Sequence, residues 1–265
     1  MLLVMSVMPP LVSIIIPAYR QARTIKKDLT HIDKVLQQIR YPYEIIVVVD
    51  GHLDHTYQKA ISVTSKNLKV FELKHHQGKG FTVRFGMKKA KGDYIAFLDA
   101  GMEIDPNGIS MLLEHLEWYA ADIIVGSKRH PASQVDYPLD RTILSWGYQW
   151  LVRLLFDIKI KDTQPGIKIF KRPVLEAILP VLLVKNYAFD IEMLSVAHRY
   201  GFTRIFEAPI KITIPFDSIS DAKTVKNILH TLYDTAAVFY RLKIMKYYDH
   251  PKPNRSHHSL RQKTT

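Results

Sequence analysis

Glu44-Ile45-Ile46-Val47-Val48-Val49-Asp50-Gly51 (EIIVVVDG, 44–51) is an apolar, β-branched run that stops at a turn-forming Asp-Gly pair. No polar residue alternates into its centre, so it reads as a strand buried on both faces. Upstream, Leu11–Pro17 (LVSIIIP) has the same character and ends at proline. Downstream, Leu68–Leu73, Asp93–Leu98 (DYIAFL) and Ala121–Val125 repeat it. Between these runs lie segments with helical spacing: 21–39 through Ile25, Leu29, Ile32, Val35, Leu36 and Ile39, then about 55–65, 79–90 and 109–119. Doubly buried strands alternating with helices predict an α/β fold, Rossmann-like, with a mostly parallel sheet and helices on both faces. Further on, a very apolar helix is expected over 140–156. Strands at Ile167–Phe170 and Ile205–Ile214 flank a helix near 188–200, and a long C-terminal amphipathic helix is expected over about 221–247, capped by Ser220 or Asp221.

Composition bounds the rest. The chain has 265 residues, 47% of them hydrophobic, which excludes global disorder. Its formal net charge of +12 favours a partner that carries phosphate, whether nucleotide, anionic lipid or nucleic acid. Nothing resembles a basic recognition helix or an RNP aromatic motif, so nucleic acid is not expected. With no cysteine there is no thiol nucleophile, disulfide or thiolate metal site. Met1–Met8 lacks a basic flank and a cleavage site, and no run approaches the roughly 20 apolar residues that span a bilayer. A cytoplasmic protein, peripheral at a membrane face, is the expectation.

In open α/β sheets ligands bind beyond the carboxyl ends of the strands, and three strands here end at Pro17-Ala18-Tyr19, Asp50-Gly51 and Asp99-Ala100-Gly101. Asp99 is followed by Glu103 and Asp105 on a loop. Clustered carboxylates suit a hard divalent cation that bridges phosphate oxygens, although such clusters are more often solvated turns. Asp50 and Asp54 suit a base or ribose, or ordinary Asx turns. His76-Gln77-Gly78-Lys79-Gly80 precedes a helix bearing Arg84 and reads either as a generic turn or as a place where glycines, a helix N-terminus and Lys79 favour anions. In the apolar helix, Arg141, Ser145, Gln149 and Arg153 recur every four residues and form a polar stripe, read either as the wet edge of a core helix or as the phosphate-facing side of an interfacial one. The 12 histidines form no metal-ligand spacing.

The ordered motifs IIIPAY (14–19), VVVDGHLD (47–54), GKGFTVRFG (78–86), FLDAG (97–101), GSKRH (126–130), DTQPGIKIFKR (162–172), FDIEML (189–194) and FEAPI (206–210) resemble family 2 glycosyltransferases of the GT-A fold, and most of all the dolichyl- or polyprenyl-phosphate hexosyltransferase branch. The resemblance covers roughly residues 11–215. It leaves 216–248 as a helical extension that suits a membrane surface, and 249–265 as a disordered basic tail. It implies an inverting hexosyltransferase that moves a hexose from a nucleotide-sugar to a polyprenyl phosphate with Mg2+ or Mn2+ as cofactor. UDP-hexose is favoured over GDP-mannose by the TQPGIK and FDIE stretches.

By this resemblance Pro17, Ala18, Tyr19 and Asp50 line the nucleoside pocket, and Lys79 and Arg84 lie near the base or diphosphate. Asp99 matches the first acid of the D-x-D metal motif, with Glu103 as its partner. Lys128, Arg141 and Ser145 match the acceptor-phosphate contacts, and Gln164 and Glu192 match the catalytic edge. Lys223 matches a basic residue that closes over the diphosphate. The chain also departs from the pattern: Arg20 and Gln21 replace an amide and a carboxylate, Val49 replaces an acid, Gly101 replaces the second D-x-D aspartate, and Lys128 replaces an arginine. Were the acceptor a hydroxyl of a glycan or lipid-linked saccharide, a general base would be required, with Glu192 or Asp190 as candidates. A non-catalytic module that binds nucleotide-sugar or an anionic membrane is the remaining reading.

Overall fold

A computed structural model describes residues 9–135, 139–212 and 221–249, with side chains left aside at 139–146 and 221–227. The strands β1 (Val12–Ala18), β2 (Tyr43–Val49), β3 (Leu68–Glu72) and β4 (Tyr94–Leu98) alternate with the helices α1 (Ile25–Leu36), α2 (Thr56–Ile61) and α3 (Lys79–Lys89). Then come α4 (Gly108–Trp118), β5 (Ile123–Ser127), the short β6 (Gln134–Val135) and α5 (Leu139–Leu155). After α5 run β7 (Ile167–Lys171), α6 (Arg172–Ile178), α7 (Phe189–Arg199), β8 (Ile205–Pro209), β9 (Lys211–Ile212) and α8 (Asp221–Phe239).

The main sheet has seven strands in the order β3-β2-β1-β4-β7-β5-β8. All neighbours are parallel except β7, which runs antiparallel to both β4 and β5. Tertiary context sets that reversal, since an apolar run such as IKIF carries no direction of its own. Where one strand was expected over 205–214, the chain splits: β8 pairs with β5, and after Ile210 β9 pairs with β6 in a separate two-stranded ribbon. The helix expected to reach 247 ends as α-helix at Phe239 and continues as a π-helical turn over Tyr240–Ile244. The tail expected to be disordered begins at Asp249, which is gripped by Arg199 at 2.8 and 2.7 Å, and 250–265 lies outside the described residues.

Two apolar layers flank the sheet. Ile15, Ile46, Phe97 and Phe170 face one layer with α3, α5, α6, α7 and α8, while Ile14, Val47, Leu98 and Ile169 face the other with α1 and α4. The period-2 alternation of strand side chains feeds both cores from one run, which is why the strands are apolar throughout. Among the described residues, no helix is long and apolar enough to cross a membrane.

Candidate active site

The carboxyl ends of β1, β2 and β4 open into a cleft of ≈ 870 Å³. Its walls are Pro17, Ala18, Tyr19, Arg20 and Gln21 after β1, Asp50 after β2, and Asp99, Ala100 and Glu103 after β4. Gly78, Lys79 and Thr82 come from the start of α3, with His76 just before it; Asn186 and Tyr187 precede α7, and His230 reaches in from α8. Backbone strain gathers at the rim: Arg20 and Met102 hold positive φ of 52° and 59°, beside Gly101 at 99°.

Asp50 lies at the cleft but is occupied. Its Oδ1 accepts the Gln77 N–H at 2.7 Å, and its Oδ2 accepts the Gly78 N–H at 3.0 Å and lies 2.8 Å from His76 Nδ1. The anion that the sequence places at the N-terminus of α3 is thus this chain's own carboxylate. Asp50 thereby pins the turn, and the His76 ring rests 4.6 Å from that of Tyr19, over which the Arg20 guanidinium sits at 5.4 Å. Asp54 braces backbone, accepting from the Thr56 and Ala22 N–H groups, as an Asx turn does.

At the centre, Lys79 Nζ stands 2.6 Å from Asp99 Oδ2. Burial works against the Lys79 ammonium, but the Asp99 and Asp190 carboxylates outweigh it and raise its pKa. Asp99 is seated by the 162–166 loop: its N–H donates to the Gly166 carbonyl at 2.9 Å, and a Cβ on Gly166 would fall 2.1 Å from Asp99 Oδ2. Underneath, Lys168 projects from the middle of β7, fully buried, with Nζ 2.6 Å from Asp190 Oδ1, 2.8 Å from the Pro165 carbonyl and 5.0 Å from the Phe97 ring. Burial lowers the Lys168 pKa and raises that of Asp190. Lys168, Thr82, Asn186, Tyr187 and His230 were absent from the expected site. Lys168 alone had a clear signal, a lysine inside a strand too apolar to expose it.

Several expected site residues lie elsewhere. Glu192 is fully buried and saturated: it accepts the Leu183 N–H at 2.9 and 3.1 Å, the Val184 N–H at 2.9 Å and the Tyr248 hydroxyl at 2.6 Å. It holds the 183–184 backbone and the C-terminal segment rather than facing the cleft, because α7 is buried from Phe189 to Ala197. Arg84 likewise turns inward and donates to the Leu182 carbonyl, so it is no cleft residue. Gln164 is half-buried in the loop that seats Asp99 but does not line the cleft. Lys128 follows β5 in a turn, half-buried, its N–H donating to Asp162 at 3.1 Å. The polar stripe on α5 divides: Gln149 is buried against Thr163 Oγ1 at 2.9 Å, whereas Arg153 is exposed. The side chains of Arg141, Ser145 and Lys223 lie outside the described residues.

For a cation, the donor set is sparse. Among the described residues no three His, Asp or Glu side chains converge on a common point. Asp105 is turned to Asn107, whose N–H and Nδ2 it accepts at 3.0 and 2.8 Å. Yet Asp99 Oδ1 is buried without a hydrogen-bond partner, and Glu103 shares its cleft. Mg2+ is commonly held by one or two carboxylates together with substrate phosphates. The residues present therefore fit a cation shared with a phosphate ligand, not a cage built from protein alone.

Comparison with known proteins agrees with this architecture. The family described as Glycosyl transferase family 2 matches residues 13–179. The chain is 33% identical over 201 residues to the dolichyl-phosphate β-glucosyltransferase of Drosophila melanogaster, covering 70% of this chain and 62% of that protein. It is 28% identical over 228 residues to the dolichol-phosphate mannosyltransferase of Pyrococcus furiosus, covering 84% and 62%. The chain thus spans less than two thirds of the length of these relatives. Among solved structures, mannosyl-3-phosphoglycerate synthase from Rubrobacter xylanophilus superposes with a TM-score of 0.69 at 16% identity, over 88% of this chain and 75% of that one. Glucosyl-3-phosphoglycerate synthase from Mycobacterium tuberculosis, in complex with Mn2+, UDP and phosphoglyceric acid, gives 0.67 at 15%, over 87% and 78%. At such identities the likeness establishes the fold.

Proposed function

This chain belongs to glycosyl transferase family 2, and from that premise we propose that it transfers a hexose from a nucleotide-sugar to a polyprenyl phosphate, with inversion at the anomeric carbon. The observation that carries the proposal is the Asp99–Lys79 pair at the carboxyl end of β4, facing a cleft wide enough for a sugar nucleotide. Pro17, Ala18, Tyr19 and His76 form the wall for the base, with Asp50 holding His76 in place. Lys79 meets the diphosphate. A divalent cation, Mg2+ or Mn2+, held by Asp99 and Glu103 would neutralise charge on the departing diphosphate. The Mn2+ and UDP bound to the mycobacterial neighbour support that assignment.

Among the described residues, the two acids expected to serve as a base are both engaged, which supports a phosphate acceptor. Attack by a hydroxyl needs a base, but Glu192 is saturated and Asp190 is locked to Lys168. A phosphate oxygen is already ionised. It attacks the anomeric carbon as the bond to the diphosphate breaks, and no proton has to move. The names of the relatives, dolichyl-phosphate glucosyltransferase and dolichol-phosphate mannosyltransferase, point the same way. Lys128, with Arg141 and Ser145, is the proposed acceptor-phosphate cluster, and Lys223 the residue that closes over the diphosphate.

Outward, α8 and the turn after it expose Leu229, Tyr233, Tyr240 and Ile244, while α5 exposes Trp150 and Leu154. The helices adjoin through the Tyr148–Thr235 hydrogen bond of 2.9 Å. An apolar stripe on a chain of net charge +12 suits peripheral attachment to the cytoplasmic face of an anionic membrane, where a polyprenyl acceptor resides. The test is transfer of radiolabelled glucose or mannose from the UDP and GDP donors to polyprenyl phosphate and, separately, to a hydroxyl acceptor. Wild type is expected to label polyprenyl phosphate, and Asp99→Asn to lose that transfer. Labelling of only the hydroxyl acceptor, or binding of nucleotide-sugar without turnover, refutes the proposal.

A further inference from the structure

Asp99 already carries a cation. Lys79 and Asp99 meet at 2.6 Å with only 24% and 31% of their side chains exposed. Nor is Lys79 a loosely tethered surface lysine. A Cβ on Gly78 would stand 2.6 Å from the Lys185 carbonyl oxygen, and one on Gly80 would stand 2.5 Å from Phe189 Cβ. Those close approaches clamp the start of α3 against the 185–189 segment, and the Phe81 N–H donates to the Lys185 carbonyl at 3.1 Å. From this fixed base Lys79 crosses to Asp99, its Nζ 6.0 Å from the Phe189 ring. The glycines flanking the lysine are what permit this packing. The other oxygen, Asp99 Oδ1, has no partner. The position of the usual second acid is Gly101, at φ 99°. A divalent ion that approaches Oδ1 therefore meets a fixed ammonium across one carboxylate, with Glu103 the other acid of the cleft, and like charges repel strongly where water is scarce.

We propose that Lys79 is the resident counter-ion of Asp99 and makes binding of the divalent cation conditional on binding of the nucleotide diphosphate, which takes the ammonium over. The proposal rests on the nucleotide-sugar reading and specifies how that site is regulated. Because coupling between two ligands is reciprocal, it is measurable from the metal side without turnover.

The experiment is a Mn2+ titration of the full chain followed by electron paramagnetic resonance, with and without UDP or GDP, and with nucleotide binding measured by calorimetry. Wild type is expected to bind Mn2+ weakly alone and more tightly with the nucleotide, by a factor within the usual coupling range of about 5–150. Lys79→Met is expected to bind Mn2+ alone on the order of tenfold more tightly, and its nucleotide enhancement to shrink to the part supplied by the diphosphate oxygens as shared ligands. Lys79→Arg keeps the wild-type pattern. Lys79→Gln repeats the test with a polar side chain, and near-UV circular dichroism confirms the native fold. Unchanged Mn2+ affinity and undiminished enhancement in both Lys79→Met and Lys79→Gln overturn the counter-ion proposal alone. If wild type binds neither nucleotide, the nucleotide-sugar reading fails with it.

Discussion

Removing the Asp190 carboxylate strands an ammonium in the centre of the sheet. Lys168 is fully buried, and its charge is met by Asp190 at 2.6 Å, the Pro165 carbonyl at 2.8 Å and the face of Phe97 at 5.0 Å. Only the first of these bears a compensating charge. Breaking a buried pair from one side costs about 3–5 kcal/mol, because the remaining ion keeps its desolvation penalty. Asp190→Leu is therefore expected to lower stability by that amount. At about 2–4 °C per kcal/mol for a domain of this size, the melting point should fall by about 6–20 °C. Lys168→Met, which leaves Asp190 with Lys79 as its nearest cation, should cost less.

The double variant Lys168→Met/Asp190→Leu buries no charge, and apolar replacements of buried pairs are often neutral or better. It should recover most of the loss, giving a large coupling energy in a double-mutant cycle. Urea unfolding followed by tryptophan fluorescence measures all four proteins. If Asp190→Leu costs less than about 1 kcal/mol and the double variant recovers nothing, Lys168 and Asp190 do not form a buried ion pair.

Gly166→Ala drives a methyl group to 2.1 Å from Asp99 Oδ2, so Asp99 must leave Lys79. Turnover in the transfer assay should drop on the order of 10²-fold, as for a small misplacement of a reacting group. Glu44 is buried, pairs with the half-exposed Lys69 at 2.7 Å and also accepts from Lys91 N–H and Ser13. Burial pushes its pKa up, but these donors outweigh it and the net shift is downward. Its stabilising contribution is therefore complete above the ordinary glutamate value and lost as pH falls through the lower folded value. The drop in urea midpoint from pH 6 to pH 3 should shrink in Glu44→Gln. Tyr233→Ser with Ile244→Ser should weaken co-sedimentation with anionic vesicles while leaving the fold intact, since both side chains are exposed.

The sheet was legible because doubly buried strands must be apolar along their whole length, and EIIVVV and LVSIIIP advertise that burial. The cleft was legible for the same reason: strand ends announce where the chain leaves the core, and Pro17, Asp50 and Asp99 all lie there. Facing direction on helices was not legible where a helix is buried all round. In α7 every residue from Phe189 to Ala197 is buried, so Asp190 and Glu192 both read as site acids although one pairs with Lys168 and the other holds backbone. Arg84 failed in the same way, since the spacing on α3 does not reveal that Leu182 waits beneath it. The direction of β7 and the approach of His230 depend on contacts distant in sequence, which local patterns do not encode.

Gly101 and Gly166 show why this site departs from a two-acid metal motif without abandoning it. Gly101 holds φ 99°, a conformation that L side chains rarely adopt, and its Cβ direction is open except for Gln21 Nε2 at 3.7 Å. An aspartate there has room but not backbone. Restoring it would cost about 1–2 kcal/mol of left-handed strain or force the 101–104 loop to refold. That loop is not free to move, because Ile104 bridges to Ile212 and Asp105 N–H donates to Lys211 at 3.0 Å. An acid at position 101 is thus disfavoured by conformation, and Asp99 is given a lysine partner by close packing at Gly78 and Gly80. Electrostatic balance at the cleft is set by where the backbone tolerates only glycine. For that reason a glycine-to-alanine change at 166 is expected to disturb the chemistry more than an added carboxylate at 101 could repair it.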